Sequence, residues 1–299
     1  MTAVATQATS ERPTTLKPPR RRRIRDLSVR SKIILYVLLV IVGIVFVFPS
    51  YWLFSSALKP SGDIYIYPPQ WFPAEFHWQN FVSAWTAAPF TNFLINSVVV
   101  AIIATALKVA LATMTAYAFT FVRFPGKKIL FMFLLGTLMV PGTVTLLPNY
   151  LTSASLGWVN TYAGLIIPDI GSAFGTFLLR QHMMTLPREV FEAARVDGAG
   201  HLTIMRRLVV PMSRPIMITV TMVGLVDIWN SFIWPLVITN TVEMRTLPVG
   251  LLYLKSQEGY NDWGAIMAGS VIVALPMIVI FLLAQRYIVA GFTGGALKG

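Results

Sequence analysis

Apolar and polar positions alternate along this chain in long blocks. Nearly uncharged apolar runs over 33–58, 92–121, 128–148, 161–182, 209–238 and 264–288 predict six helices. Each is long enough to cross a bilayer core of about 30 Å. The pattern therefore predicts an all-α membrane protein with six transmembrane helices. The run after Lys32 lasts about 26 residues, too long for the apolar region of a signal peptide, and no small-residue cleavage site follows it. Prolines at 49, 141, 168, 235 and 276 fall inside the runs. Such interruptions are tolerated where helices line a cavity or must flex.

The polar blocks differ from one another. Residues 1–32 contain "RRRRIR" (Arg20–Arg25) and read as a disordered basic arm. Residues 59–91 are rich in aromatics and prolines, which suits a cap at the membrane interface. A second long loop covers about 239–263, and residues 291–299 form a glycine-rich tail after the six-span body at 33–290.

Composition then limits the chemistry. The chain is 56% hydrophobic and only 12% charged, yet its net charge is +12. Of the 24 Lys and Arg, 20 lie in the arm, at Arg123, Lys127 and Lys128, between Arg180 and Arg214, and at Arg286 and Lys298. Only Lys59, Arg245 and Lys255 fall in the opposite loops, and Lys108 is inside a span. The asymmetry predicts both termini on the cytosolic face of a bacterial plasma membrane. The excess charge thus marks orientation, and no nucleic-acid partner is expected. The absence of cysteine excludes disulfides and thiol catalysis. There is no GxxxxGK[ST] phosphate loop and no GxSxG elbow, and the three histidines lack ligand spacing. Neither an enzyme nor a bound cofactor is expected.

The most polar interior stretch lies between the fourth and fifth spans. "TLPREVFEAARV" (Thr185–Val196) predicts a short helix with Thr185 near its N-cap and Pro187 in the first turn. Asp197-Gly198 should end it, since glycine accepts the left-handed conformation at a C-terminal turn. A second amphipathic segment follows through Leu202, Met205 and Leu208 to Pro211.

This loop resembles the EAA signature of permease subunits in binding-protein-dependent ABC importers. Glu192, Ala193, Ala194, Gly198 and Pro211 match in register, with Asp197 before the glycine and Leu208 and Val210 at the apolar positions. "AYAFTFVRFPGKK" (Ala116–Lys128), "WNSFIWPL" (Trp229–Leu236) and "GFTGGALKG" (Gly291–Gly299) are similar to the maltose-type carbohydrate branch. "ALKVALATMTAYAFTFVRFP" (Ala106–Pro125) resembles the glycerol-3-phosphate and glycerophosphodiester permease subgroup. The resemblance implies the type I importer permease fold, with the loop at about 185–211 forming a coupling helix seated on a cytosolic ATPase. It also implies that Gly294, Gly295, Lys298 and Gly299 reach the ATPase dimer interface. The implied partners are a second related permease, two ATP-binding subunits, an extracytoplasmic solute-binding protein and membrane lipids.

Candidate pathway residues are fewer. Trp229, Asn230 and Trp234 offer aromatic faces and an amide of the kind that bind sugars, and equally suit packing. Lys108 sits mid-span, where an unpaired charge costs several kcal/mol. It can meet an anionic solute in a cavity, or pair with Asp227 or Asp169. The function expected is half of the translocation pathway for a sugar or sugar-like solute, with glycerol-3-phosphate or a glycerophosphodiester as candidates. Secondary carriage and a membrane-embedded transferase are the alternatives.

Overall fold

A computed structural model describes residues 28–255 and 261–293, with side chains to Gln285. Among the described residues all regular structure is helical. They divide into two units, up to Tyr51 and from Trp52 onward.

The first unit consists of most of α1 (Val29–Ala57), whose apolar residues occur on every side, as suits a helix surrounded by lipid. This helix begins inside the segment assigned above to the arm, so Arg30 and Lys32 belong to its first turn. The remainder of that segment lies outside the described residues.

The second unit opens with an irregular aromatic stretch and α2 (Gln79–Thr86), followed by α3 (Phe90–Phe121). At about 1.5 Å per residue α3, a 32-residue helix of about nine turns, is longer than the apolar core of a bilayer. Its buried positions include Phe93, Ser97, Ala101, Ala104, Lys108, Ala112 and Ala116, at intervals of three and four. Small residues dominate that stripe, which lets neighbouring helices approach closely.

Three of the expected spans are bent. In the third, α4 (Lys127–Gly136) continues as a 3-10 turn to Met139, and α5 (Gly142–Ser155) leaves at 102°. Val140, forced extended by the following Pro141, makes the break (φ −83°, ψ 119°). In the fourth, α6 (Tyr162–Ile166) and a 3-10 turn to Asp169 meet α7 (Ala173–Met183) at 47°. The Ser172 hydroxyl accepts from the Gly175 N–H at 2.9 Å to start α7.

After α8 (Arg188–Val196), a helical segment runs through α9 (His201–Ile204), a π-turn at Met205–Val209 and α10 (Val210–Met212). It meets α11 (Arg214–Trp229) at 83°. Pro215 lacks the N–H that would continue the helix to the Pro211 carbonyl. The fifth apolar run is therefore not one helix over 209–238: it breaks at Ser213 and again at residues 230–232, before α12 (Ile233–Ile238). Then come α13 (Leu247–Gly250) and α14 (Trp263–Thr293), which contains Pro276. Counting each bent pair once, α1, α3 and α14 complete the six spans.

Within the second unit α3 packs against both α7 and α11. The buried apolar residues form two clusters. One gathers Phe90, Phe93, Ala104, Trp229, Ile238 and Leu247. The other gathers Ala112, Tyr117, Leu179, Phe191, Val209 and Val220. Along α3, Lys108 falls between them.

Candidate functional site

The helix carrying the EAA residues is anchored by one side chain. Phe191 is its only buried residue, at 3% exposure, and its ring lies 4.7 Å from that of Phe121. Glu192, Ala193, Val196 and Asp197 are exposed and Ala194 is half-buried. Val196, at 88% exposure, is an apolar residue turned outward on this face. The N-cap position is held by Pro187, not Thr185, whose hydroxyl instead donates back to the His182 carbonyl at 2.8 Å. Glu189 occupies the first turn, favourably for the helix dipole.

At the other end Gly198 is left-handed (φ +81°). Its N–H donates to the Arg195 carbonyl at 3.0 Å, and that of Ala199 donates to the Ala194 carbonyl at 2.9 Å. Together these form a Schellman turn, which closes off two end carbonyls and fixes the direction in which the chain leaves. The following segment is tied to α3 through Tyr117, whose hydroxyl shares a 2.9 Å hydrogen bond with His201 Nδ1. Its buried residues are Ile204 and Val209, while Leu202 is exposed and Met205 and Leu208 are half-buried. The spacing of five follows from the π-turn, which an expectation based on α-helical spacing could not anticipate. Pro211 lies within α10, on its exposed side.

The second region is a cavity of about 440 Å³ walled by α3, α5, α11 and the chain around Asp169. Two of its lining residues, Asp169 and Asp227, hold Lys108, which itself lines a smaller neighbouring cavity with Asp227. The ammonium lies 2.9 Å from Asp169 Oδ2 and 3.2 Å from Asp227 Oδ2, so the two partners considered above are engaged together. The lysine side chain is 8% exposed, against 52% and 67% for the two carboxylates. Gly224 faces its stem, where a Cβ would come within 3.6 Å of Lys108 Cδ. The cavity is thus presented with carboxylate oxygens, and the ammonium lies behind them.

Trp229, Asn230 and Trp234 all line this cavity, together with Asn149, Thr145 and Ser231. Both indole N–H groups are committed to the protein, Trp229 to the Val273 carbonyl and Trp234 to the Gly164 carbonyl, each at 3.0 Å. Trp229 is 4% exposed and serves chiefly in packing, whereas Trp234 is half-buried and Asn230 exposed. Asn149 and Thr145 went unnoticed in the sequence because they stand on α5, which reaches the cavity only through the 102° bend. Gly294, Gly295, Lys298 and Gly299 lie outside the described residues.

Residues 27–293 match the family model described as "Binding-protein-dependent transport system inner membrane component". The sn-glycerol-3-phosphate transport system permease protein UgpE of Yersinia enterocolitica is 34% identical over 263 residues, covering 86% of this chain and 94% of that one. The arabinooligosaccharides transport system permease protein AraQ of Bacillus subtilis is 31% identical over 271 residues, covering 90% and 96%. Among solved structures, a bacterial ABC transporter importing the acidic polysaccharide alginate superposes with a TM-score of 0.78 at 20% identity, covering 87% and 98%. The chain therefore belongs to the family of inner membrane components of binding-protein-dependent transport systems.

Proposed function

We propose that this chain forms half of the translocation pathway for a neutral, polyhydroxylated solute, of the sugar or oligosaccharide class. The reading is carried by the ion triad. Lys108 is already met by two carboxylates, so it presents no free cation to a phosphate ester. Asp169 and Asp227 offer oxygens that accept hydrogen bonds from hydroxyls, as do Asn149, Asn230 and Ser231 from the same wall. A solute anion would instead meet carboxylates first, in a setting where like charges repel strongly. The relative named as an arabinooligosaccharides transport system permease agrees with this choice, while the UgpE relatives, named for sn-glycerol-3-phosphate transport, favour glycerol-3-phosphate as the second reading.

The basic ends of the spans then face the cytosol, with both termini there. The helix Arg188–Val196 docks on a cytosolic ATPase through its exposed face around Glu192, Ala193 and Val196. Two such ATPase subunits hydrolyse ATP, this chain being non-catalytic, and the Gly294–Gly299 tail reaches their interface. A second related permease completes the pathway, and an extracytoplasmic binding protein delivers the solute.

The test uses the complete transporter in proteoliposomes with its binding protein. Arabinotriose and glycerol-3-phosphate are compared as stimulants of ATP hydrolysis and as cargo. Stimulation and uptake with the neutral sugar support the reading. Stimulation by glycerol-3-phosphate alone, lost on Lys108→Met, overturns it in favour of the phosphate ester.

A further inference from the structure

At the basic end of the helices lies a second cavity, of about 370 Å³, between α8 and the adjoining ends of α3, α4 and α7. Five cations line it: Arg123, Lys127, Arg180, Arg188 and Arg195. Among the described residues the only acid in its walls is Glu192. None of the five forms an ion pair with a described residue. Their hydrogen bonds go to backbone carbonyls: Lys127 to Thr120 and Val122, Arg180 to Phe119, and Arg195 to Phe121. A guanidinium carries five N–H groups and an ammonium three, so most of these donors remain for another acceptor.

We infer that this cavity binds the phosphate headgroup of an anionic phospholipid in the same leaflet. Three features point to an amphiphile over a soluble ion. First, Phe119, Phe121 and Phe191 form apolar walls beside the cations. Second, Arg180 is stacked over Phe131 of α4, at 4.1 Å, which joins the charged pocket to that helix. Third, α4 has no buried residue, and its Ile129, Met132 and Phe133 are 61%, 70% and 71% exposed. An acyl chain would lie along that surface while its phosphate enters between the arginines. Basic pockets of this kind between membrane helices are suited to anionic headgroups.

Because Phe191, the buried residue of α8, forms the opposite wall, an occupied site would brace the buried side of that helix. The inference uses the chain's place in the membrane and is independent of the solute.

The experiment takes the full chain in nanodiscs of phosphatidylcholine doped with phosphatidylglycerol or cardiolipin, and counts retained lipid by native mass spectrometry. The expected result is preferential retention of the anionic lipid. Each removed charge should weaken this by about fivefold, so Arg123→Gln/Arg188→Gln should lose about 25-fold. Neither arginine makes a side-chain hydrogen bond to a described residue, so the pair can be changed without cutting a backbone contact. Arg206→Gln/Arg207→Gln, exposed residues outside the cavity, should leave retention unchanged. Equal retention of phosphatidylcholine, or equal loss in both double variants, overturns the site. Displacement of the lipid by 10 mM inorganic phosphate, on the order of a soluble-anion affinity, overturns the lipid assignment in favour of a free anion.

Discussion

Removing both carboxylates while keeping Lys108 should damage this protein more than removing the lysine. In Asp169→Asn/Asp227→Asn the ammonium keeps its charge on a side chain only 8% exposed and loses contacts of 2.9 and 3.2 Å. Stranding a buried charge costs about 3–5 kcal/mol. Either single change should cost only about 1 kcal/mol, since one partner remains and the carboxylates are more than half exposed to screening by water. The double variant therefore exceeds the sum of the singles by about 1–3 kcal/mol. Adding Lys108→Met removes the stranded charge, and most of the loss should return. The assay is the thermal unfolding midpoint of the full chain in nanodiscs. At about 2–4 °C per kcal/mol, the double variant should fall by about 10 °C and the triple recover to within a few degrees. A strictly additive double variant, or a triple no better than the double, would refute the buried-charge argument.

Three further outcomes are expected. At Gly198 the backbone is left-handed and a Cβ would meet nothing within 4 Å, so conformation alone decides. Gly198→Asn should keep most uptake while Gly198→Val, strained by about 1–2 kcal/mol, loses it with the protein still in the membrane; equal uptake in the two is the contrary result. At Gly250 a Cβ would sit 2.3 Å from the ring of fully buried Phe93. Gly250→Ala should cost about 1–3 kcal/mol by overpacking, and Phe93→Leu should relieve it, both read from the unfolding midpoint. The chain has no cysteine, so single cysteines report orientation cleanly. Tyr67→Cys, at a site 94% exposed, should react with an impermeant maleimide from outside intact cells, and Val196→Cys, at 88%, only after permeabilisation. The reverse labelling would invert the proposed topology.

Much of this arrangement was legible before the structure. Six apolar runs marked six spans, and Asp197-Gly198 marked the end of α8 because only a glycine-type backbone suits that turn. Lys108 stood out because a mid-span charge must have a partner. That it has two at once was not legible, since Asp169 and Asp227 lie 61 and 119 residues away and reach it only through packing of separate helices. The bends were half visible. Pro141 and Pro215 announce an interruption, but an angle of 102° or 83° depends on what the two arms pack against. Lys59 was counted as an ordinary loop charge, yet it is fully buried, and its ammonium donates to the Gln70 carbonyl and lies 4.4 Å from the centre of the Trp52 ring. Burial holds its ammonium below the usual lysine range, against the opposing pull of Asp63. Nothing local distinguishes such a lysine from a solvated one.

The π-turn at Met205–Val209 bears on the fixed interval between Gly198 and the Leu208-Val-Val-Pro211 end of the motif. A π-turn is how a helix absorbs one surplus residue while keeping the parts on either side in phase. Deleting one residue within 205–209 should restore ordinary helical pitch and leave the entry into α11 pointing as before. The same deletion between Gly198 and Ile204 has no slack to draw on and would rotate the downstream helix by about 100°, one residue's share of a turn. The interval then behaves as a phase-setting length with a single compressible link, and its tolerance to indels should be confined to those five positions.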